Sequence, residues 1–188
     1  MDEQKIKILE GAIKAFNNKG LKFTMDDLAK ILGMSKKTIY KFYRDKEEMF
    51  SAMVDYTFAK IKESENVVLN DNTLPIEEKI KNVLGVLPDS YREINLEQIY
   101  LLKGKYPEIY KKVEEHIESG WEDSIALINK GIEEKKIRPI NVALFKTMFE
   151  ATLEQFFQRD VLVKNNIAYS DALEEIVGIL VNGIVIND

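Results

Sequence analysis

The sequence predicts an all-α fold in which an N-terminal three-helix domain is followed by a larger helical domain. Apolar residues recur at intervals of three and four through almost the whole chain, which is the period of an amphipathic helix. No segment alternates apolar and polar residues over the useful length of a strand, and no internal repeat or low-complexity tract is present. We place the domain boundary between residues 1–47 and residues 48–188.

The first two helices are defined by their ends. The first carries an apolar stripe formed by Ile6, Leu9, Ile13 and Phe16. Gly20 ends it. The second begins after Thr24, which can cap it, and Asp27 stands three residues later as in a capping box. Its apolar stripe consists of Leu28, Ile31 and Leu32. Gly33 follows as a helix stop, because glycine adopts the left-handed conformation without steric cost.

A third helix starts directly after this stop. Ser35 is a good N-cap for it, so the segment is a helix, a turn of about three residues and a helix, the helix-turn-helix arrangement. At about 100° per residue, one side of the third helix is apolar and carries Ile39, Phe42 and Tyr43. The opposite side is cationic and aromatic and carries Lys37, Tyr40, Lys41 and Arg44, with Lys36 and Thr38 beside them.

This cationic side has the composition of a DNA-reading surface. Lys and Arg neutralise phosphates and bond guanine edges, while Thr and Tyr reach phosphate oxygens or thymine methyl groups. A basic helix face alone is usually only a solvated surface, and that alternative stays open. The candidate DNA-binding residues are Thr24, Ser35, Lys36, Lys37, Thr38, Tyr40, Lys41, Arg44 and Lys46.

Residues 38–49, Thr-Ile-Tyr-Lys-Phe-Tyr-Arg-Asp-Lys-Glu-Glu-Met, resemble the end of the DNA-binding domain of the TetR (tetracycline-repressor-like) family. That family tends to show Thr-Leu-Tyr, two variable residues, Phe, and a Lys-Glu pair that opens the next helix. Thr24, Leu28-Ala29 and Gly33-Met34-Ser35 fit the same pattern, so the resemblance covers residues 5–50. Beyond residue 50 it is looser.

The resemblance implies a role for each matching residue. Thr24 would contact a phosphate, and Lys46 would clamp the DNA backbone where the next helix begins. The major groove would be lined by Lys36, Lys37, Thr38, Tyr40 and Lys41. Three positions depart from this picture. Phe42 stands where a polar-tipped His or Tyr is common, Tyr43 stands where Phe is common, and Asp26 places a negative charge near the expected DNA surface, where it would reduce affinity or read a cytosine.

The net charge of −5 is divided unevenly along the chain. Residues 1–50 hold eleven Lys and Arg against eight Asp and Glu, whereas the remainder holds sixteen against twenty-four. The acidic C-terminal part repels DNA while the basic N-terminal part attracts it, so the protein is expected to approach DNA in one orientation. The asymmetry therefore favours a small DNA-reading domain on an acidic effector domain.

The larger domain is predicted to contain six helices. Their expected ranges are 45–65, 76–88, 96–103, 107–136, 141–159 and 170–186. Asp45 and Glu48 form a second capping box at the start of the first of these helices. Residues 66–75 form a turn-rich connection between the first helix and the second. The helix over 107–136 is predicted as a single long element, because its apolar residues keep a spacing of three or four throughout.

The last two helices are apolar on nearly all sides, so both sides of each must be buried. A homodimer built on a four-helix bundle provides that second covering, and burial inside one protomer is the alternative. The candidate dimer-interface residues are Phe145, Phe149, Leu153, Phe156, Ile176, Leu180 and Ile184. A dimer would read a palindromic site with recognition helices roughly 34–36 Å apart or a multiple of that distance.

A ligand pocket can be sought among the large aromatic residues of the larger domain. The candidates are Phe58, Tyr91, Tyr100, Trp121 and Phe149. Several combine an apolar ring with a polar tip, which suits a mostly apolar site with a few orienting groups. For any one of them the alternative is that it is simply a core or surface residue.

The sequence favours a binding protein over an enzyme. It carries no dinucleotide-binding, phosphate-loop or nucleophile-elbow motif, and its single histidine, His116, lacks the Glu-x-x-His spacing of a metal site. We expect no cofactor, no metal and no membrane partner. The absence of cysteines, of a long apolar run and of a secretory N-terminal pattern is compatible with a cytoplasmic location.

By its resemblance to the TetR family, the chain is expected to be a ligand-responsive transcriptional regulator, most often a repressor, with double-stranded DNA and a small-molecule effector as partners. Two alternatives stay open. One is a small-molecule-binding protein whose N-terminal domain no longer reads a specific site. The other is a helical interaction module without a ligand.

Overall fold

The computed structural model describes residues 2–88, 91 and 96–186, and within the last range it omits the side chains of Leu96, Glu97 and Tyr100. These residues form α-helices and connecting turns, and their pairing of extended backbone is limited to an isolated bridge between Ile137 and Val185. The all-α prediction is confirmed. Among the described residues no helix is both long and apolar enough to cross a membrane.

The helices are α1 (Glu3–Lys19), α2 (Met25–Leu32), α3 (Lys36–Tyr40), α4 (Lys46–Asn70), α5 (Ile76–Leu84), α6 (Leu96–Lys105), α7 (Pro107–Glu118), α8 (Glu122–Glu133), α9 (Val142–Gln158), α10 (Val161–Lys164) and α11 (Tyr169–Asn182). A 3-10 turn over Gly20–Lys22 joins α1 to α2.

The chain forms two compact units. The first consists of Met1–Ala59 and Ile94–Val113, and the second of Lys60–Glu93 and Glu114–Asp188. Two helices, α4 and α7, contribute residues to both units, so each unit contains segments that are distant in sequence.

The core of the first unit is built around α1. Its largest fully buried side chains are Ile8, Leu9, Phe23, Leu28, Ile39 and Met49. The Phe50 ring of α4 makes edge contacts with three other rings, those of Phe16, Phe23 and Tyr106, at centroid distances of 6.0, 5.6 and 5.3 Å. This aromatic cluster joins α1, the turn before α2, α4 and the residue that follows α6, because Phe50 lies against a ring from each of these segments.

In the second unit, two backbone hydrogen bonds join the C-terminal segment to the loop after α8. The N–H of Arg138 donates to the carbonyl of Ile184 at 2.8 Å, and the N–H of Ile186 donates to the carbonyl of Lys136 at 2.9 Å. Ile137, between them, is completely buried. The backbone after α11 is therefore held by the loop that carries the buried Ile137.

Several sequence predictions of helix extent were wrong. The helices expected over 76–88 and 170–186 end at Leu84 and Asn182. The helix expected over 107–136 is broken into α7 and α8, because Gly120 adopts a left-handed backbone with φ of 73° and ends the first of them. The connection expected over 66–75 is partly helical, since α4 continues to Asn70. Val68 and Leu69 are half-buried in this added turn, and their burial favours its extension.

Candidate nucleic-acid interface

The helix α2 starts with the capping box that the sequence predicts. Thr24 Oγ1 accepts a hydrogen bond from the Asp27 N–H at 3.1 Å, and Asp27 Oδ2 accepts one from the Thr24 N–H at 2.8 Å. Asp27 also pairs with Lys19 at 2.6 Å. The hydrogen bond from Lys19, followed by those from Thr24, holds the pKa of the Asp27 carboxyl well below its usual value. The first turn of α2 is thus ordered by its own side chains.

The turn between α2 and α3 also follows the prediction. Gly33 has the left-handed conformation with φ of 62°, and the Met34 N–H donates to the carbonyl of Ala29 at 3.0 Å. Ser35 then caps α3 by accepting a hydrogen bond from the Thr38 N–H at 3.1 Å. A glycine stop and a serine cap therefore define the turn between the two helices, and both lie within residues 33–38.

The helix α3 is only five residues long, but its two sides differ as expected. Ile39 is completely buried and Tyr43, one turn later, is 4% exposed. The opposite side is open to solvent: Lys36, Lys37, Tyr40 and Lys41 are exposed, and Thr38 is half-buried. Phe42 and Tyr43 lie beyond the helix in the turn before α4, yet the Tyr43 N–H still donates to the Ile39 carbonyl at 3.2 Å.

Two of the exposed cations are paired with carboxylates. Lys36 Nζ lies 3.0 Å from Asp26, and Arg44 Nε lies 3.0 Å from Asp45 Oδ2. The Arg44 side chain is 84% exposed, so its pair is fully accessible to competing ions. Hydrogen bonds from the Glu48 N–H and from Arg44 lower the pKa of the Asp45 carboxyl.

Lys46 is placed differently from the other cations. Its ammonium donates to the carbonyls of Leu21 and Phe23 and lies 4.3 Å from the centre of the Phe23 ring. Burial, and then the nearby charge of Lys105, lowers the pKa of Lys46 to about 8. These internal bonds compete with the phosphate contact that the family resemblance implies, and the sequence carried no signal for them because the two acceptors are backbone atoms.

The candidate pocket residues are divided between the two compact units. Phe58 is half-buried in the first unit, and the side chain of Tyr100 lies outside what the structure describes. In the second unit Tyr91 is buried, and the rings of Trp121 and Phe149 meet edge to face at 5.5 Å. The Trp121 indole N–H donates to the Ile117 carbonyl at 3.0 Å, which fixes the orientation of the ring.

The candidate dimer-interface residues differ in exposure, and Ile184 lies beyond the end of α11. Phe145, Phe149, Leu153 and Ile184 are buried within the protomer, whereas Phe156, Ile176 and Leu180 are half-buried. The candidate list does not include the apolar side chains of α9 and α11 that are more than half exposed. These are Leu144 (62% exposed), Met148 (56%) and Ile179 (60%). The spacing of four between Leu144 and Met148 was the available signal, since it places both on one side of α9.

Among the described residues, no group of three or more His, Asp or Glu side chains is arranged to hold a metal ion. His116 lies half-buried in α7.

Comparison with known proteins agrees with this geometry. Residues 8–53 match the family described as bacterial regulatory proteins, tetR family. The HTH-type transcriptional regulator YvaF of Bacillus subtilis is 31% identical over 182 residues, which are 97% of this chain and 96% of YvaF.

Solved structures share the fold over their whole length. A TetR-family regulator from Cytophaga hutchinsonii aligns with a TM-score of 0.72 and 23% identity, covering 100% of this chain and 97% of that one. The regulator FadR of Bacillus subtilis, solved in complex with stearoyl-CoA, aligns with a TM-score of 0.62 and 16% identity, covering 95% and 98%. With the matched helix-turn-helix and the near full-length similarity to YvaF, the chain belongs to the TetR family of DNA-binding transcriptional regulators.

Proposed function

We propose that this regulator binds a palindromic operator as a homodimer and releases it when a small molecule binds in the C-terminal domain, so that it acts as a repressor. In this proposal residues 1–47 read DNA, and residues 48–188 bind the effector and form the dimer. The protein would act in the cytoplasm, where its DNA is.

The observation that carries the proposal is the two-sided α3. Ile39 anchors it completely in the core, while Lys37, Tyr40 and Lys41 stand exposed on the other side. A rigidly anchored helix with exposed cations and an aromatic hydroxyl can enter the major groove without rearrangement. In that pose, as the family resemblance implies, Lys36, Lys37, Thr38, Tyr40 and Lys41 line the major groove, while Thr24 contacts a phosphate and Ser35 lies near it.

The homodimer is supported by the exposed apolar side chains of α9 and α11. Leu144, Met148 and Ile179 are each more than half exposed, an arrangement that a second copy of the chain would cover. Phe156, Ile176 and Leu180 are half-buried and would complete their burial in the same contact. A single small helix-turn-helix makes too few contacts to be selective among the competing sites of a genome, whereas two related copies read both halves of a palindrome.

The effector is proposed to be a mostly apolar molecule held near Trp121 and Phe149. Their buried rings meet edge to face in the second compact unit and would give such a site an apolar lining. FadR, which shares the fold, was solved with stearoyl-CoA, so a long-chain acyl-CoA is the first probe to test. Because α4 contributes residues to both compact units, we expect a change in its tilt to transmit ligand binding to the DNA-binding domain. The coupling between ligand and DNA is expected to be about 1–3 kcal/mol.

Selection of bound sequences from random duplex DNA tests the proposal. The wild type is compared with a Lys37→Ala, Tyr40→Ala variant, and with a Lys130→Ala variant that removes an exposed cation from α8. We expect a palindrome to be enriched by the wild type and by the α8 variant, and to be lost in the α3 variant. If nothing is enriched at low or moderate salt, the N-terminal domain does not read DNA unaided and the binding-protein alternative replaces this proposal.

The selected operator then allows the effector to be tested. Fluorescence anisotropy of the labelled operator is followed while stearoyl-CoA is added, and free coenzyme A serves as the control for the polar part of the molecule. Release by the acyl-CoA alone would support an apolar effector site. Equal release by both compounds would place recognition on the nucleotide moiety instead and would contradict the apolar site.

A further inference from the structure

The ion pair between Asp26 and Lys36 joins the starts of two helices. Asp26 is the second residue of α2, and Lys36 is the first residue of α3. Both carboxylate oxygens of Asp26 lie 3.0 Å from Lys36 Nζ. Because the side chains remain 64% and 49% exposed, the pair lies at the surface and not in the core.

Local structure does not require this pair. The cap of α2 is made by Thr24 and Asp27, and α3 is capped by Ser35. Asp27, the neighbour of Asp26, has its own cation in Lys19. An exposed ion pair of this kind contributes little to the stability of a fold, since its attraction is screened by solvent. The stability of the fold therefore does not explain this ion pair.

Its position affects the binding of anions. A helix N-terminus presents free N–H groups and the positive end of the helix dipole, which together favour a phosphate. Asp26 places a carboxylate in that region of α2, and the same carboxylate neutralises Lys36, one of the cations beside the reading side of α3. A DNA phosphate that approaches this surface has to displace Asp26 from Lys36 and meets the negative charge of Asp26.

We propose that Asp26 competes with DNA phosphates for Lys36 and thereby limits the affinity of this surface for DNA. Binding to random DNA depends almost entirely on phosphate contacts, so this competition weakens it. This inference rests on the proposed DNA-binding function.

The test measures affinity for a random-sequence duplex by fluorescence anisotropy across a range of salt concentrations. Asp26→Asn is compared with the wild type, with an Asp26→Asn, Lys36→Ala double variant, and with Glu133→Gln. The last removes one negative charge from an exposed position in α8. Thermal unfolding monitored by circular dichroism verifies that each variant is folded.

We expect Asp26→Asn to bind random DNA about fivefold tighter and to show a salt dependence steeper by about 0.9 in logarithmic slope, because one more phosphate is neutralised. The double variant is expected to lose the increase in slope, since Lys36 supplies it. An unchanged affinity and slope would overturn the inference, and so would an equal gain in Glu133→Gln, which would indicate a general charge effect.

The two proposals fail in different ways. If neither the wild type nor Asp26→Asn binds any duplex at low salt, the DNA-binding function itself fails. If both bind but differ only at one base of the selected operator, Asp26 reads that base and the competition is overturned. If Asp26→Asn binds random DNA when the wild type does not, the competition is supported.

Discussion

The side-chain amide of Gln98 accepts a hydrogen bond from the Leu21 N–H at 2.8 Å and thereby joins α6 to the turn between α1 and α2. Gly20, the residue before Leu21, makes this approach possible. Its φ of 58° and ψ of −147° lie in a region that side-chain-bearing residues rarely adopt. A Cβ atom at this position would also overlap the Gln98 side chain. One glycine therefore allows both the turn and the hydrogen bond across it.

Replacing Gly20 with Ala is expected to destabilise the protein by about 2–4 kcal/mol, from backbone strain together with loss of the Gln98 contact. Gly33→Ala is the comparison, because Gly33 also has a positive φ but has open space around it. That variant is expected to lose only about 1–2 kcal/mol. Urea unfolding of both variants gives the difference.

The contribution of Gln98 is isolated by a double-mutant cycle. Gln98→Ala is expected to cost less in the Gly20→Ala background than in the wild type, because the overlap is then relieved and the hydrogen bond is already lost. Additive costs would show that the two residues do not interact as the geometry indicates.

Lys46 is expected to contribute a pH-dependent term to stability. Because burial lowers its pKa to about 8 in the folded protein, the unfolded chain binds more protons than the folded chain between pH 8 and the ordinary lysine value of 10.5. Stability from this group therefore rises as the pH rises through that interval. Below pH 8 the lysine is charged in both states and the effect is constant.

Lys46→Met tests this assignment. The variant leaves the carbonyls of Leu21 and Phe23 without their ammonium donor, so it is expected to lose about 1–3 kcal/mol near neutral pH. The stability gap between wild type and variant is expected to widen from pH 8 to 10.5 in urea titrations. A gap that stays constant would show that the pKa of Lys46 is not lowered.

The features that the sequence predicts well depend on neighbouring residues. The Thr24–Asp27 capping box, the left-handed Gly33 and the Ser35 cap each involve groups within a few residues, so residue type and spacing suffice to predict them. The buried position of Ile39 followed from the same helical period. Local chemistry thus makes the helix-turn-helix predictable before any tertiary structure is known.

The features that the sequence does not predict depend on distant contacts or on a single backbone angle. The apolar spacing of Ile117, Trp121 and Ile125 continues in phase across the break at Gly120, so periodicity indicates one helix where there are two. Lys46 resembles a phosphate contact by position, yet its acceptors lie more than twenty residues earlier in the chain. On helices that are apolar all round, only packing decides which side faces the core.

Gly131 in α8 is expected to tolerate no side chain. A Cβ atom there would lie 2.7 Å from Ile137 Cγ1 and 3.5 Å from Ile80 Cδ1, and both isoleucines are buried. Gly131→Ala should therefore cost about 1–3 kcal/mol through overpacking, despite the better helix propensity of alanine.

Gly104→Ala is the control for helix propensity. Gly104 lies in α6 with open space around it, so the variant should be neutral or gain up to about 1 kcal/mol in thermal unfolding. A stabilising Gly131→Ala would show that the loop carrying Ile137 moves aside without cost.

The outward side of α9 is expected to control the oligomeric state without affecting the fold. Leu144→Asp with Met148→Lys places charges on two side chains that are mostly exposed in the protomer, so the protomer should remain folded while a dimer is lost. Sedimentation equilibrium measures this change. Val67→Lys, on the 72% exposed Val67 of α4, is the control that should leave the oligomeric state unchanged.

Phe149→Ala is expected to destabilise the fold, unlike these surface variants, because Phe149 is buried whereas Leu144 and Met148 are exposed. Phe149 is 5% exposed and packs on Trp121, so its truncation should cost about 3–5 kcal/mol of folding stability. The proposed dimer requires that Leu144→Asp with Met148→Lys dissociates it and also weakens operator binding, because two linked recognition helices bind far more tightly than one. A dimer that persists in this variant would show that the copies associate through another surface.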